Sequence, residues 1–117
     1  MKTRLLVYGL LRKGDSLGHM MAGAESLGEA RVAGHDLYDL GDYPGAVPGD
    51  GELVCELYVL PNPTSLAALD EAEGVGRNPP LYRRVPVMAN GRLAWLYVYA
   101  RSVEGLPKIE SGDWFDR

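Results

Sequence analysis

Cysteine is almost missing from this chain. Cys55 is the only one in 117 residues, which excludes an internal disulfide and a thiolate metal cluster. It sits in the strand-like run Leu53-Val54-Cys55-Glu56-Leu57-Tyr58 and reads as a strand residue rather than a nucleophile. Histidine is scarce too, and His19 and His35 show neither metal-ligand spacing nor a spacing that ties them to Cys55. The HExxH, GxSxG and calcium-loop patterns are missing, as are the phosphate-cradling GxxxxGKS/T and GxGxxG. Positive charge is not in excess. With 12 Lys and Arg against 16 Asp and Glu, the net charge of -4 gives no footprint for nucleic acid or an anionic membrane, yet leaves a small zwitterion open as a partner. No stretch approaches the roughly 20 apolar residues of a membrane span. The opening Met1-Lys2-Thr3-Arg4-Leu5-Leu6-Val7 is too quickly interrupted for a signal peptide, so cytoplasm is the default expectation.

What the chain does have is punctuation, with 15 glycines and 8 prolines marking off short apolar runs. Leu5-Leu6-Val7-Tyr8 reads as a first strand buried on both faces. Asp15 or Ser16 then caps a short helical segment reaching about Gly23, weakened by Gly18. An extended or bent strand follows over 25–38, with Gly28 and Gly34 at bulges or close approaches. Residues 39–51 carry the breakers Pro44-Gly45 and Pro48-Gly49 and read as loop, with at most a short strand at Ala46-Val47. A clear strand covers 53–60.

Asn62-Pro63-Thr64 opens a helix, with Asn62 or Thr64 as N-cap, that should run over 64–73 and stop at Gly74. Two strands, 82–89 and 93–101, meet at Asn90-Gly91, the strongest hairpin signal present. The tail from Gly105 carries Leu106, Ile109, Trp114 and Phe115, and should fold back as a lid or plug. This inventory predicts one α+β domain over 1–117: a small mixed, curved or closed β-barrel of five to six strands with one main helix and a short helical segment.

The helix carries the most informative residue. At about 100° per residue, Leu66, Leu69 and Glu73 share a stripe while Glu71 points the other way. Glu73 therefore lies on or beside the docking face, at the end where the helix dipole opposes its charge. Partly apolar surroundings there would raise its pKa and suit it to proton transfer. Two other readings stay open: the helix end frays and Glu73 swings into water, or Glu73 pairs with Arg83 or Arg84. Tyr8-Gly9-Leu10-Leu11 follows the buried strand, and its N–H groups can either hold an anion or form an ordinary turn. Trp95, Tyr97 and Tyr99 share one strand face, as a pocket wall or a plain core face.

These same residues resemble the gamma-glutamyl cyclotransferase-like family, which includes avirulence-induced proteins and gamma-glutamylamine cyclotransferases. Val7-Tyr8-Gly9-Leu10-Leu11-Arg12-Lys13-Gly14 is similar to the opening YGTLRxG signature. Leu37-Tyr38-Asp39-Leu40-Gly41-Asp42-Tyr43-Pro44 resembles the central loop, and Leu69-Asp70-Glu71-Ala72-Glu73-Gly74 matches LDxxEG. Tyr82-Arg83-Arg84-Val85 matches a YxR-V strand, and Trp95-Leu96-Tyr97-Val98-Tyr99 with Ile109-Glu110-Ser111-Gly112-Asp113-Trp114 resembles the closing strand and tail. The blocks keep their order over nearly the whole chain.

The resemblance implies a barrel with a pocket at one end and an acyltransferase- or lyase-type reaction without a cofactor. The alpha-amine of a gamma-glutamyl compound would attack its own gamma-carbonyl, giving 5-oxoproline and a free amine. It implies Glu73 as the acid/base, and Tyr8, Gly9, Leu10, Leu11, Tyr43, Tyr82 and Arg84 as substrate-binding residues. Arg84, out of phase with Arg83, should share the inward face with Tyr82. Leu10 stands where many relatives carry Thr or Ser, so backbone donors survive there and a hydroxyl contact does not. A monomer or weak homodimer is expected. The same fold also suits a noncatalytic binding or regulatory domain, or an enzyme acting on a gamma-glutamylated biosynthetic intermediate.

Overall fold

The computed structural model describes residues 3–62 and 65–117. Its first strand, β1 (Arg4–Val7), is short because Gly9 follows, and apolar on both faces because both faces are covered. β1 pairs antiparallel with β3 (Pro44–Val59) on one side and parallel with β5 (Arg92–Tyr99) on the other. Leu5 and Leu6 consequently have essentially no exposure, and burying each contributes about 1.5–3 kcal/mol. Around this strand the sheet is completed by β2 (Glu25–Asp39), β4 (Tyr82–Ala89) and β6 (Lys108–Ile109), in the order β4-β5-β1-β3-β2-β6. β2 and β4 are not ladder neighbours but touch, so the sheet curls into a half-barrel.

The two faces follow from strand alternation. Leu6, Tyr8, Leu96 and Val98 join Leu53, Cys55, Leu57 and Trp114 in one core cluster. Leu5, Val7, Tyr82 and Tyr97 join Leu69 of the helix α1 (Ser65–Ala72) in the other. The predicted bulges in β2 occur at Gly28 and Gly34, where φ is +87° and +80° and the β2–β3 register slips. Asn90 and Gly91 both have positive φ and close the β4–β5 hairpin as predicted. Cys55 is a fully buried strand residue, and burial pushes its thiol up to about 12, which leaves it inert.

One expectation fails. Residues 44–51 are not loop; they form the first half of β3, paired with β2 from Asp39↔Pro44 to His35↔Pro48. The glycines there serve close approach, not turning: a Cβ on Gly45 would lie 2.9 Å from the Tyr99 ring, and one on Gly49 would strike the Asp36 carboxylate. Prolines are tolerated because β1 pairs only with residues 56–59, leaving this half of β3 with a ladder partner on one side. The short helical segment expected near 15–23 is present as the 3-10 turn Gly18–Met21. A Cβ on Gly18 would sit 2.7 Å from the Arg12 carbonyl, so the chain folds back on itself there and the segment stays short.

Helix α1 begins after Asn62, whose side chain accepts the Ser65 N–H at 3.2 Å; the expected roles of Pro63 and Thr64 lie outside the described residues. The tail folds back as a plug and not over the cavity described below. Ile109 and Trp114 are buried, β6 pairs with Leu37 and Tyr38, and the Trp114 indole N–H donates to Asp15 at 2.9 Å. Leu106 and Phe115 stay exposed. No helix among the described residues is long and apolar enough to cross a membrane.

Candidate active site

The turn that ends β1 is held open by its neighbours. A Cβ at Gly9 would meet the Pro44 ring at 2.6 Å, so only glycine lets this turn sit against the start of β3. Arg12 N–H closes the turn onto the Gly9 carbonyl, and the Leu10 carbonyl accepts from Leu17. Among the described residues, no protein acceptor takes the N–H of Gly9, Leu10 or Leu11. Three successive free amides beside a cavity are the raw material of an anion nest. The cavity has a volume of about 100 Å³, and Tyr8, Gly9, Leu10 and Leu11 form one of its walls.

Glu73 stands on another wall, placed by the way α1 ends. Its N–H continues the helix to the Leu69 carbonyl at 2.9 Å. Gly74, at φ +70°, then donates to Glu71, and Val75 donates to Asp70, the paired bonds of a Schellman motif with Glu73 as C-cap. A Cβ at Gly74 would lie 3.0 Å from the Leu81 Cβ, and the Gly74 carbonyl accepts from Leu81, so the cap is fixed against the residue that leads into β4. The helix end does not fray into water. Desolvation by the surrounding walls raises the Glu73 carboxyl to about 7. Glu71 is exposed.

Aromatic rings complete the enclosure, with Tyr43, Tyr82 and Tyr97 all lining the cavity. Tyr82 packs edge-on to Tyr99 with centroids 5.5 Å apart, so the Trp95-Tyr97-Tyr99 face is part core and part pocket wall. The hydroxyls of Tyr8, Tyr82 and Tyr97 are engaged. Tyr8 donates to the Tyr97 carbonyl at 2.5 Å and accepts from the Ala46 N–H at 3.1 Å. Tyr82 donates to the Pro44 carbonyl, and Tyr97 donates to Asp70 Oδ1 at 2.8 Å. Burial pushes all three hydroxyls well up, and the nearby Glu73 charge adds to it. Glu73 is thus the cavity group poised to exchange a proton near neutrality.

Of the residues singled out in the sequence, Tyr8, Gly9, Leu10, Leu11, Tyr43, Glu73 and Tyr82 all meet at this cavity. Arg84 does not line it. It is half-buried as expected, with Arg83 exposed, but its guanidinium lies 4.5 Å over Trp95 and its Nε is 3.2 Å from Asp70 Oδ1. Its ion-pair partner is therefore Asp70, not Glu73. Sequence reasoning missed Leu17, Pro44 and Leu81 as lining residues and Asp70 as a ligand of Tyr97. Asp70 precedes Glu73 by three residues, about one helical turn, which places it near Glu73 but does not by itself mark it out from a solvated charge. Among the described residues, no three His, Cys, Asp or Glu side chains converge as a metal-ligand group.

Comparison with known proteins finds relatives over nearly the whole chain. The family model described as gamma-glutamyl cyclotransferase, AIG2-like, matches residues 5–116. The gamma-glutamylcyclotransferase family protein YtfP of Escherichia coli K12 is 45% identical over 114 residues, 97% of each chain. The solution NMR structure of the Escherichia coli protein ytfP superimposes with a TM-score of 0.77 at 43% identity, covering 98% of both chains. The crystal structure of PH0828 from Pyrococcus horikoshii gives a TM-score of 0.82 at 35% identity, covering 96% of this chain and 89% of that one.

Proposed function

The chain belongs to the gamma-glutamyl cyclotransferase, AIG2-like family, and from that membership we propose that it is an enzyme cyclising a small gamma-glutamyl compound to 5-oxoproline. The observation that carries this reading is the Glu73 carboxyl, desolvated to about 7, in one cavity with the free amides of Gly9, Leu10 and Leu11. In the reaction, those amides hold the substrate's alpha-carboxylate. The Glu73 carboxylate takes a proton from the alpha-amine as its nitrogen bonds to the gamma-carbonyl carbon. Glu73 then returns that proton to the departing nitrogen as the old C–N bond breaks, releasing 5-oxoproline and a free amine. Both reacting groups belong to one molecule, so confinement in a narrow cavity supplies much of the acceleration. A base with a pKa near the working pH is the most effective proton carrier.

The apolar walls from Leu10, Leu11, Leu17 and Leu81 support the reading by keeping Glu73 in a poorly hydrated setting. The test is a screen of gamma-glutamyl compounds with 5-oxoproline detection, followed by Glu73→Gln on a substrate the unmodified protein turns over. Binding, measured by calorimetry, should change little, and turnover should fall about 10²–10⁴-fold. Glu71→Gln, an exposed change on the same helix, should turn over normally. Near-normal turnover by a folded Glu73→Gln protein would remove Glu73 from the mechanism. Binding without 5-oxoproline across the whole screen would make the protein a binder.

A further inference from the structure

We propose that Asp70 is the positioning residue for Glu73, tethering the end of α1 to β4 and β5 through Arg84 and the Tyr97 hydroxyl. The inference rests on Glu73 being the working carboxylate of the cavity. It adds a residue that touches no substrate.

The tether is visible as a connected set of hydrogen bonds with one ion pair. Asp70 Oδ1 accepts the Tyr97 hydroxyl at 2.8 Å and lies 3.2 Å from Arg84 Nε, so a single oxygen gathers one strand residue from β5 and one from β4. Arg84 is itself held over Trp95. The main chain of Tyr97 takes the Tyr8 hydroxyl, and Tyr8 in turn holds the Ala46 N–H, which joins the tether to the wall that carries the free amides. On the helix side, the Asp70 carbonyl accepts Val75 N–H in the cap that places Glu73. Asp70 therefore fixes the helix end twice, through its carboxylate and through its carbonyl.

A helix of eight residues has little stability of its own, so its orientation depends on what docks it. Leu69 is its one fully buried residue, with Leu66 packed half-buried on the same stripe. Apolar contacts along one stripe are non-directional and leave small rotations about the helix axis weakly specified, and a directional bond one turn before Glu73 removes that freedom. The charged and titratable groups packed around Glu73 are Tyr8 after β1, Tyr43 before β3, Tyr82 of β4 and Tyr97 of β5. Asp70 and Arg84 stand behind Tyr97.

The experiment is a carbon-13 NMR titration of the Glu73 carboxyl in the intact protein, which needs no substrate and so stands apart from the cyclase reading. The unmodified protein should titrate near 7. Asp70→Ala and Tyr97→Phe should each lower the midpoint by about one unit or more, toward the ordinary glutamate value of roughly 4.3. Asp70→Asn keeps an oxygen for the Tyr97 hydroxyl and should stay closer to the unmodified protein. Tyr97→Phe leaves the Asp70 charge in place, so its result separates position from electrostatics. A fall in both Asp70 variants with no change in Tyr97→Phe would assign the effect to lost charge and overturn the proposal. Unchanged midpoints in folded Asp70→Ala and Tyr97→Phe would overturn it too. On a turned-over substrate, Asp70→Ala should lose about 10–100-fold in kcat with KM nearly constant, the signature of a displaced catalytic group. A rise in KM alone would count against it.

Discussion

At the scale of single residues, Glu73 shows how placement sets the proton affinity of a carboxyl. Its folded pKa, about 7, lies above the unfolded value of roughly 4.3, so the folded state prefers the protonated form. That preference contributes stability fully below pH 4 and loses it as pH rises through 7. Glu73→Gln cannot ionise and should escape the loss. Its stability relative to the unmodified protein should therefore grow between pH 4 and 8, by about 1–3 kcal/mol after allowing for partial exposure. Urea denaturation of both proteins across that range checks the sign, and a difference that does not vary with pH would contradict the burial of the charge. Glu73 was legible because helical spacing put it beside Leu66 and Leu69. Asp70 was not singled out, since an aspartate on a half-exposed helix face looks like any solvated charge until Tyr97 and Arg84 are seen to meet it.

Elements differ in how far local chemistry determines them. The α1 stop at Gly74 and the turn at Asn90-Gly91 need conformations that few residues adopt, so both were readable. Gly74→Ala tests the first. Alanine must take φ near +70° with its Cβ 3.0 Å from Leu81, and should cost about 1–2 kcal/mol, seen as a lower urea midpoint with the slope unchanged. The first half of β3 was misread because glycine and proline signal turns only when nothing else dictates the path. There, Asp36 dictates it: its carboxylate accepts Gly51 N–H at 2.9 Å and fills the space a side chain at Gly49 would take. Tertiary packing of that kind leaves no local pattern.

Across the whole molecule, a buried arginine ties distant parts together. Arg12, 7% exposed, bonds Glu56 of β3 at 2.9 Å and Asp113 of the tail at 2.6 Å, and stacks 4.0 Å from the Phe115 ring. Burial works against its charge, but these two carboxylates outweigh that and raise its pKa. Asp113→Ala leaves Arg12 with one partner and removes the cap on Phe115 N–H, and should cost about 1–3 kcal/mol in thermal or chemical unfolding. Loss of less than a few tenths would show that Glu56 alone suffices. The apolar residues of the tail were evident in the sequence; their docking site was not, because it is assembled from the turn after β1, from β2 and from β3.

The placement of β1 between β3 and β5 also sets how the chain reaches its folded state. Hairpins β2–β3 and β4–β5 are local in sequence and can form early, but in the ladder they are joined through β1, which lies between β3 and β5. That junction brings together residues as far apart as Tyr8 and Tyr97, separated by 89 positions. Contacts of such long range are entropically expensive to initiate and slow a domain relative to one built from neighbours. Synthesis on the ribosome exposes β1 first and β5 late, so the earliest strand must wait, unpaired on that side, for nearly the last. The turn after β1 and the rings of Tyr82 and Tyr97 line one cavity, so that cavity is enclosed only once β1 and β5 have paired.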